Sequence, residues 1–172
     1  AVRDIREVRL FNRSQDKARG LAREVAAWEE PPRVKVCSSP HEAVQGAEIV
    51  IAATNSMTPV FDGRDLKPGS HVTGVGSFKP EMQEVDLLTI QRSRIFVDSR
   101  EACLEEAGEL IANQAHIEAE IGQVINGQAP GRQSDDEITF FKTVGVAAQD
   151  AAAAAEVLSR ADALGLGTLI QW

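Results

Sequence analysis

The sequence is poor in cysteine, has no long apolar run and carries no excess of positive charge. Cys37 and Cys103 are its only cysteines, and neither has a metal-ligating neighbour. We therefore expect free thiols in a reducing compartment, no metal and a cytoplasmic protein. No apolar stretch is long enough to cross a bilayer, and the formal net charge of -8 repels nucleic acids and anionic membranes. Neither a membrane nor a nucleic acid is an expected partner.

Short apolar segments alternate with helical patterns along most of the chain. The apolar segments are residues 8–11, 34–37, 48–54, 71–76 and 94–98. Segment 48–54 is continuously apolar, as in a parallel strand that is covered on both faces. Because strands that alternate with helices favour right-handed crossovers, the pattern predicts an α/β fold with a Rossmann-like doubly wound parallel sheet.

The C-terminal part has a different pattern. Residues 119–125 predict a short helix, residues 138–144 form an apolar segment, and residues 147–164 predict a long alanine-rich helix. Its small residues let another helix approach closely, from the same subunit or from a partner. We therefore predict a dinucleotide-binding domain at 1–136 and a C-terminal segment at 137–172 that returns to a substrate or dimerisation domain.

Charged residues in this part have no defined role. An acidic stretch lacks the histidines or cysteines of a metal site, so we interpret it as a solvent-exposed face. Its members are Glu105, Glu106, Glu109, Glu118 and Glu120. Lys142 fits a base, a cofactor contact or a structural contact equally well.

A strand-to-helix turn reads Phe-Asn-Arg-Ser at residues 11–14. In a Rossmann fold, the turn after the second strand faces the adenosine ribose, where an acidic residue selects NAD and an arginine accommodates a 2′-phosphate. Here Arg13 presents a guanidinium, and Asn12 and Ser14 can donate hydrogen bonds. A hydrogen bond to a charged group contributes about 1.5–3 kcal/mol, so we expect NADP(H) to be preferred by roughly 10- to 100-fold, with NAD(H) also possible. The alternative is a solvated arginine beside a helix cap.

Two more segments fit the nicotinamide half of such a cofactor. Thr54 and Asn55 lie at the carboxyl end of a predicted strand, where open α/β sheets bind ligands. Val75, Gly76 and Ser77 lie at the end of the next strand, and the glycine lets a flat ring approach the backbone. Polar loop residues and turn glycines explain both segments equally well when each is taken singly.

The glycine-rich loop that binds a dinucleotide pyrophosphate is absent, since no G-x-G-x-x-G occurs in the chain. The chain opens at Ala1 without a methionine, in a segment that resembles the end of a helix. We therefore expect the 172 residues to be part of a longer protein, with the first strand and the glycine loop upstream of Ala1.

An ordered set of segments resembles one protein family. The segments are residues 12–14, 38–39 with 42–44, 53–54, 66–71, 75–80 (Val-Gly-Ser-Phe-Lys-Pro), 97–99 with 101–102, 106–110 and 141–145. Together they resemble the ornithine cyclodeaminase/mu-crystallin family, over roughly the second half of a family member. The resemblance implies a dimeric enzyme that transfers hydride between NAD(P)H and an imine, or the amino acid formed from that imine.

The resemblance also implies roles for individual residues. Asn12, Arg13 and Ser14 would hold the 2′-phosphate, while Thr54, Val75, Glu101 and Thr143 would lie along the cofactor and Val144 near the nicotinamide. In such enzymes, arginine and lysine residues of an N-terminal domain bind the substrate carboxylate. None of them has a counterpart in this chain, so the catalytic residues stay unassigned.

One position discriminates between members of this family. Cyclodeaminases carry an aspartate as acid and base where this chain has Phe78, and phenylalanine cannot move a proton. The Gly-Ser-Phe-x-Pro pattern resembles bacterial ketimine reductases instead. We therefore expect NADPH-dependent reduction of a cyclic ketimine, such as pyrroline-2-carboxylate or piperideine-2-carboxylate, to the amino acid. The alternatives are an ornithine cyclodeaminase, an alanine-type amino-acid dehydrogenase, and a non-catalytic protein that binds NADPH or a small ligand, like mu-crystallin.

Overall fold

The computed structural model describes residues 3–168 and residue 170. Strands and helices alternate through most of this part. In chain order they are β1 (Glu7–Leu10), α1 (Gln15–Ala26), β2 (Arg33–Val36), α2 (Pro40–Val44), β3 (Ile49–Ala52), a 3-10 helix (Gly63–Asp65), β4 (His71–Gly74), α3 (Leu87–Arg92), β5 (Ser93–Val97), α4 (Arg100–Glu106), α5 (Gly108–Ala112), β6 (Ile117–Glu120), α6 (Ile121–Ile125), β7 (Ile138–Lys142) and α7 (Ala147–Leu164). The five predicted strands are confirmed as β1 to β5, and the predicted bounds of α7 are also confirmed.

All strand pairs are parallel, which confirms the expected α/β fold with a parallel sheet. The strands nevertheless form two sheets. β1 pairs with β2, and the other strands follow the order β3-β4-β7-β5-β6. No hydrogen-bonded pairing joins β1 to β3 within the described residues, so another strand between them would be needed to form one continuous sheet.

β6 occupies part of a segment for which the sequence predicts a helix. The helix predicted at 119–125 begins only at Ile121, because residues 117–120 pair with β5 as an edge strand. Side chains along β6 alternate, with Ile117 and Ala119 buried and Glu118 exposed. The prediction is wrong at residues 119 and 120 because pairing with a buried neighbour overrides the helix propensity of alanine and glutamate.

β7 bears on the predicted domain boundary. It lies between β4 and β5, so a boundary after residue 136 separates β7 from both of its neighbours. The division into residues 1–136 and 137–172, and the assignment of the second segment to another domain, stay predictions. Residues 1–2, 169 and 171–172 of the two predicted ranges lie outside the described residues.

The core lies between the five-stranded sheet and helices α3 to α5. Its buried side chains include Val72, Ile95, Val97 and Phe140 from the strands and Ile90, Cys103 and Leu110 from the helices. Cys37 and Cys103 are both buried free thiols, as expected, and burial is the main factor that raises the pKa of Cys103 to about 12. The thiol groups are therefore part of the packing.

Helix α7 lies outside this core. None of its 18 residues is buried, and it exposes Val157, Leu158 and Leu164. Gly165 ends the helix in the left-handed conformation with φ 63°, which glycine adopts without steric cost. Within residues 3–168 and residue 170, no helix is long and apolar enough to cross a membrane.

Candidate functional site

A cleft of about 870 Å³ lies between the two sheets. One wall is formed by β1 and the turn that follows it, and the other by β3 and the residues after it. Arg9, Arg13 and Lys17 line the cleft, and no described lining residue is acidic. The residues that follow β1 and β3 stand at the carboxyl ends of parallel strands, where open α/β sheets bind ligands. The cleft is therefore suited to an anionic ligand.

Arg13 and Lys17 supply the available positive charge of this cleft. Neither side chain has a hydrogen bond or an ion pair with any residue in the described part of the chain. Arg9, in contrast, is already engaged. It contacts the carboxylate of Glu7 at 2.5 Å and donates to the carbonyl of Gln45 at 2.7 Å. A bound anion would thus meet the guanidinium of Arg13 and the ammonium of Lys17 first.

The neighbours of Arg13 hold its turn in place. The Oδ1 of Asn12 accepts a hydrogen bond from the Ser14 N–H at 2.9 Å, and the Oγ of Ser14 accepts one from the Lys17 N–H at 3.4 Å as the N-cap of α1. These bonds leave the Asn12 amide group and the Ser14 hydroxyl hydrogen as donors. The structure thus brings Asn12, Arg13 and Ser14 together at one wall of the cleft.

The opposite wall contains the end of β3, which Glu84 joins to the end of β4. This glutamate is completely buried. Its Oε1 accepts from the backbone N–H of Thr54 and from the Thr54 hydroxyl, the latter at 2.6 Å. Its Oε2 accepts from the Gly76 N–H at 2.5 Å. Thr54 and Asn55, both predicted site residues, line the cleft.

Asp98 plays a similar role at the end of β7. Its Oδ2 accepts from the Thr143 hydroxyl at 2.6 Å and from the N–H groups of Val144 and Gly145 at 3.1 and 2.8 Å. Its Oδ1 accepts from the Ser99 N–H at 2.8 Å. Burial raises the pKa of Asp98, but the hydrogen bonds outweigh burial and hold that pKa below its ordinary value. The ionised carboxylate of Asp98 thus holds the loop after β7 in place.

Val75, Thr143 and Val144 stand at the same edge of the sheet as Thr54, because β3, β4 and β7 are parallel neighbours. They do not themselves line the cleft. Ser77 differs from them, since its side chain is completely buried and its hydroxyl donates to the Met82 carbonyl at 3.0 Å. Only the backbone of Ser77 is left for a cofactor contact.

Glu101 lies apart from the other predicted site residues. It is exposed in the first turn of α4 and is absent from the lining of the cleft. α4 follows β5, which is two positions from β4 in the sheet. The predicted contact of Glu101 with the cofactor therefore has no support in the geometry of this cleft and stays a prediction.

One member of the predicted acidic face is buried. Glu109 is completely buried, and its Oε1 lies 3.4 Å from the Nζ of Lys142, which is also completely buried. The interpretation as a solvent-exposed face is therefore wrong for Glu109. Lys142 makes a structural contact, one of the three roles that the sequence left open. An ion pair removed from water in this way must supply its own charge compensation.

Two carboxylates that organise the site, Glu84 and Asp98, were not among the predicted site residues. Asp98 is the last residue of the predicted strand 94–98, and the carboxyl end of a strand is a position that signals a site residue in a parallel sheet. Glu84 has no such signal, because it lies in the loop before α3 and only the folded chain brings it to Thr54 and Gly76. Among the residues that the structure describes, no group of histidine, cysteine, aspartate and glutamate side chains is arranged to hold a metal ion.

A parallel α/β sheet with a cationic cleft at the carboxyl ends of its strands defines a Rossmann-like nucleotide-binding class of protein. The particular family follows from comparison with known proteins. The model of the ornithine cyclodeaminase/mu-crystallin family matches residues 1–164, so the chain belongs to this family.

Curated relatives carry reductase names. The chain is 39% identical over 180 aligned residues to a Delta(1)-pyrroline-2-carboxylate reductase of Bacillus cereus, which covers 100% of the chain and 55% of that relative. It is 38% identical over 149 residues to the ketimine reductase mu-crystallin of Mus musculus, with 87% of the chain and 45% of that relative covered. The chain thus spans about half the length of the curated relatives that it matches.

Solved structures share the fold. The Delta(1)-pyrroline-2-carboxylate reductase of Thermococcus litoralis, in complex with NADH and L-proline, superposes with a TM-score of 0.91 at 31% identity and covers 98% of this chain and 54% of its own. An archaeal alanine dehydrogenase dimer with bound NAD gives a TM-score of 0.87 at 27% identity, with 99% of this chain and 54% of the other covered.

Proposed function

We propose that this chain is the cofactor-binding part of an NADPH-dependent reductase that converts a cyclic ketimine carboxylate into the corresponding amino acid. The observation that carries the proposal is the guanidinium of Arg13, which makes no hydrogen bond or ion pair with a described residue and stands in a cleft whose described lining holds no carboxylate. The pyrroline-2-carboxylate and ketimine reductases among the relatives support the reaction. Preference for NADPH over NADH belongs to the proposal, since the neighbours with known ligands bind NADH and NAD.

The residues of the cleft fit a dinucleotide with a 2′-phosphate. Arg13 would pair with that phosphate through its planar guanidinium, and the Asn12 amide and the Ser14 hydroxyl would donate hydrogen bonds to it. Thr54 and Asn55 would lie along the rest of the cofactor. When bound, the nicotinamide supplies the hydride, and the protein orients the imine carbon towards it.

The ends of β4 and β7 would form the platform for the reacting ring. Val75 is 44% exposed at this edge, and Asp98 holds Thr143 and Val144 beside it. Phe78 is 49% exposed nearby in the chain. A phenyl ring has no ionisable proton. Phe78 is therefore compatible with reduction but cannot act as the acid and base in the amine chemistry of a cyclodeaminase.

The test is NADPH oxidation by the full-length protein with Delta(1)-pyrroline-2-carboxylate and Delta(1)-piperideine-2-carboxylate, followed by the absorbance of NADPH. Oxidation that depends on the imine supports the proposal. Ammonia release from ornithine without net cofactor consumption would identify a cyclodeaminase instead, and cofactor reduction with alanine an amino-acid dehydrogenase. Cofactor binding without turnover on any of these compounds would identify a binding protein.

We also propose a homodimer in which α7 contributes to the interface or to a second domain. Support comes from the 18 unburied residues of α7 and from the archaeal alanine dehydrogenase, which is a dimer. The molar mass of the full-length protein in solution tests this proposal, and a monomeric mass contradicts it.

A further inference from the structure

We infer that Glu84 is a positioning residue for the nicotinamide half of the cofactor, acting through the backbone that it holds. The inference rests on the proposed function, because it assumes that a dinucleotide occupies the cleft. Glu84 does not line the cleft. Its role would be to set the spacing between the two strand ends on which the ring is expected to lie.

Among the described residues, the Glu84 carboxylate hydrogen-bonds only to these two strand ends. One carboxylate oxygen accepts two hydrogen bonds from Thr54, after β3, and the other accepts one from the N–H of Gly76, after β4. The three donors are the Thr54 N–H, the Thr54 hydroxyl and the Gly76 N–H. Both residues are predicted to contact the cofactor. The carboxylate is completely buried, so water does not compete for these bonds.

The two strand ends lie unusually close at this point. A Cβ atom placed on Gly76 would lie 1.7 Å from the carbonyl oxygen of Thr54 and 2.6 Å from the Oε1 of Glu84. Only glycine leaves space for this approach. The close contact brings two backbone segments and one carboxylate into a single rigid unit below the edge of the cleft.

Such rigidity matters for hydride transfer. The donor and acceptor carbons react when they are held about 3–3.5 Å apart and in line, and a displacement of about 1 Å lowers the rate strongly. The adenosine half is different, because Arg13 lies after β1, in the other sheet. Loss of the Glu84 hydrogen bonds should therefore weaken binding of the nicotinamide half and leave the phosphate contacts of Arg13 intact.

Substitution of Glu84 by glutamine keeps the size of the side chain but replaces one acceptor oxygen by a donor group. If the amide oxygen accepts from Thr54, the amide NH2 faces the N–H of Gly76, so that two donors oppose each other. A matched control is Glu81→Gln in the same loop. Glu81 is exposed, and this substitution removes the same charge.

The experiment compares two ligands on the full-length protein. Dissociation constants are measured by calorimetry for NADPH and for 2′-phospho-ADP-ribose, which lacks the nicotinamide. For E84Q we expect binding of NADPH to weaken by about 10-fold or more, while binding of 2′-phospho-ADP-ribose stays within about two-fold of wild type. The emission of bound NADPH should move towards that of the free coenzyme. E81Q should match wild type in all three measurements.

The outcomes separate the inference from the proposed function. Equal loss of affinity for both ligands, or no loss for either, overturns the inference, because a purely structural role does not distinguish the two halves of the cofactor. If wild type binds NADH instead, the same ratio is measured with NADH and ADP-ribose. If wild type binds neither dinucleotide, both the proposed function and the inference fall. Should E84Q not fold, E84D serves in its place, since aspartate keeps the charge but is too short to reach both strand ends.

Discussion

The Nζ of Lys142 lies 3.4 Å from the Oε1 of Glu109, and neither side chain is accessible to solvent. Lys142 ends β7, the central strand of the five-stranded sheet, and Glu109 lies in α5. Within the described residues, no group hydrogen-bonds to the ammonium or to the carboxylate, so the ion pair is their only polar contact there. Each charge therefore depends on the other, directly beneath the edge of the sheet where the candidate site lies.

Loss of one member of this pair should be costly. For Lys142→Met we expect the free energy of unfolding to fall by about 3–5 kcal/mol, because a buried carboxylate is left without its partner. The double variant Lys142→Met/Glu109→Leu should recover most of that loss. Urea denaturation measures the free energy of unfolding of both variants. Lys67→Met is the control, since the ion pair that Lys67 forms with Glu48 is exposed. A double variant as unstable as the single one would contradict this account.

Arg13 should determine the choice of coenzyme. Replacement by alanine removes the charged hydrogen bonds to a 2′-phosphate, so we expect the KM for NADPH to rise by roughly 10- to 100-fold while the KM for NADH changes little. Steady-state kinetics of the full-length protein with both coenzymes measures the ratio. Arg23→Ala is the control, because Arg23 lies in the last turn of α1, the helix that follows Arg13, and outside the cleft. A parallel rise for both coenzymes would exclude selection by Arg13.

Gly76 should tolerate no side chain. The added methyl group of Gly76→Ala would overlap the carbonyl oxygen of Thr54. We therefore expect the free energy of unfolding to fall by about 1–3 kcal/mol or more. Gly122→Ala is the matched control, since a Cβ there meets no atom within 4 Å and alanine favours the helix. Thermal unfolding compares the two variants. Equal stability of both would show that the loops adjust freely.

Asp98 should make stability depend on pH at the acidic end. Its pKa in the folded protein lies below the ordinary value of 3.8, so its stabilising effect is complete above that value and is lost as the pH falls through the folded pKa. The difference in unfolding free energy between wild type and Asp98→Asn should thus be largest near neutral pH and shrink below about pH 4. Asp135→Asn, in an exposed loop, removes the same charge and serves as the matched control. A difference that stays constant with pH would refute this role.

Helix α7 should exchange its amide hydrogens quickly in the 172-residue chain. None of its side chains is buried, and most of the stability of a helix in a protein comes from the packing of one of its faces. Hydrogen exchange followed by mass spectrometry should show little protection at residues 147–164 and strong protection in β4 and β7. In the full-length protein the same helix should become protected if it packs against a second domain or subunit, and continued rapid exchange there would contradict the proposed interface.

Much of the fold was predictable because local patterns and tertiary structure agree. The continuous apolar run around Ile49–Ala52 forms a strand, Ser14 caps α1, and the alanine-rich pattern gives the bounds of α7. β6 was missed because a four-residue edge strand of isoleucine, alanine and glutamate carries little strand propensity of its own. Its conformation comes from pairing with β5.

The candidate site was predictable only in part. Arg13 and Thr54 lie near the carboxyl ends of strands, so their positions follow from the topology of a parallel sheet. Glu84 and Glu109 could not be identified in the same way, since both are buried by partners distant in the sequence. A glutamate is normally a surface residue, and nothing in its immediate neighbours signals an exception.

The facing edges of β1 and β3 have a practical consequence. Each of these strands pairs on one side only in the described part of the chain, and Ile51 on β3 is 68% exposed. Unsatisfied main-chain groups beside an apolar surface act as a template for strands of other molecules. A preparation of these 172 residues by themselves should therefore form concentration-dependent aggregates. The size of such particles would reflect intermolecular pairing of exposed strand edges and not the physiological assembly.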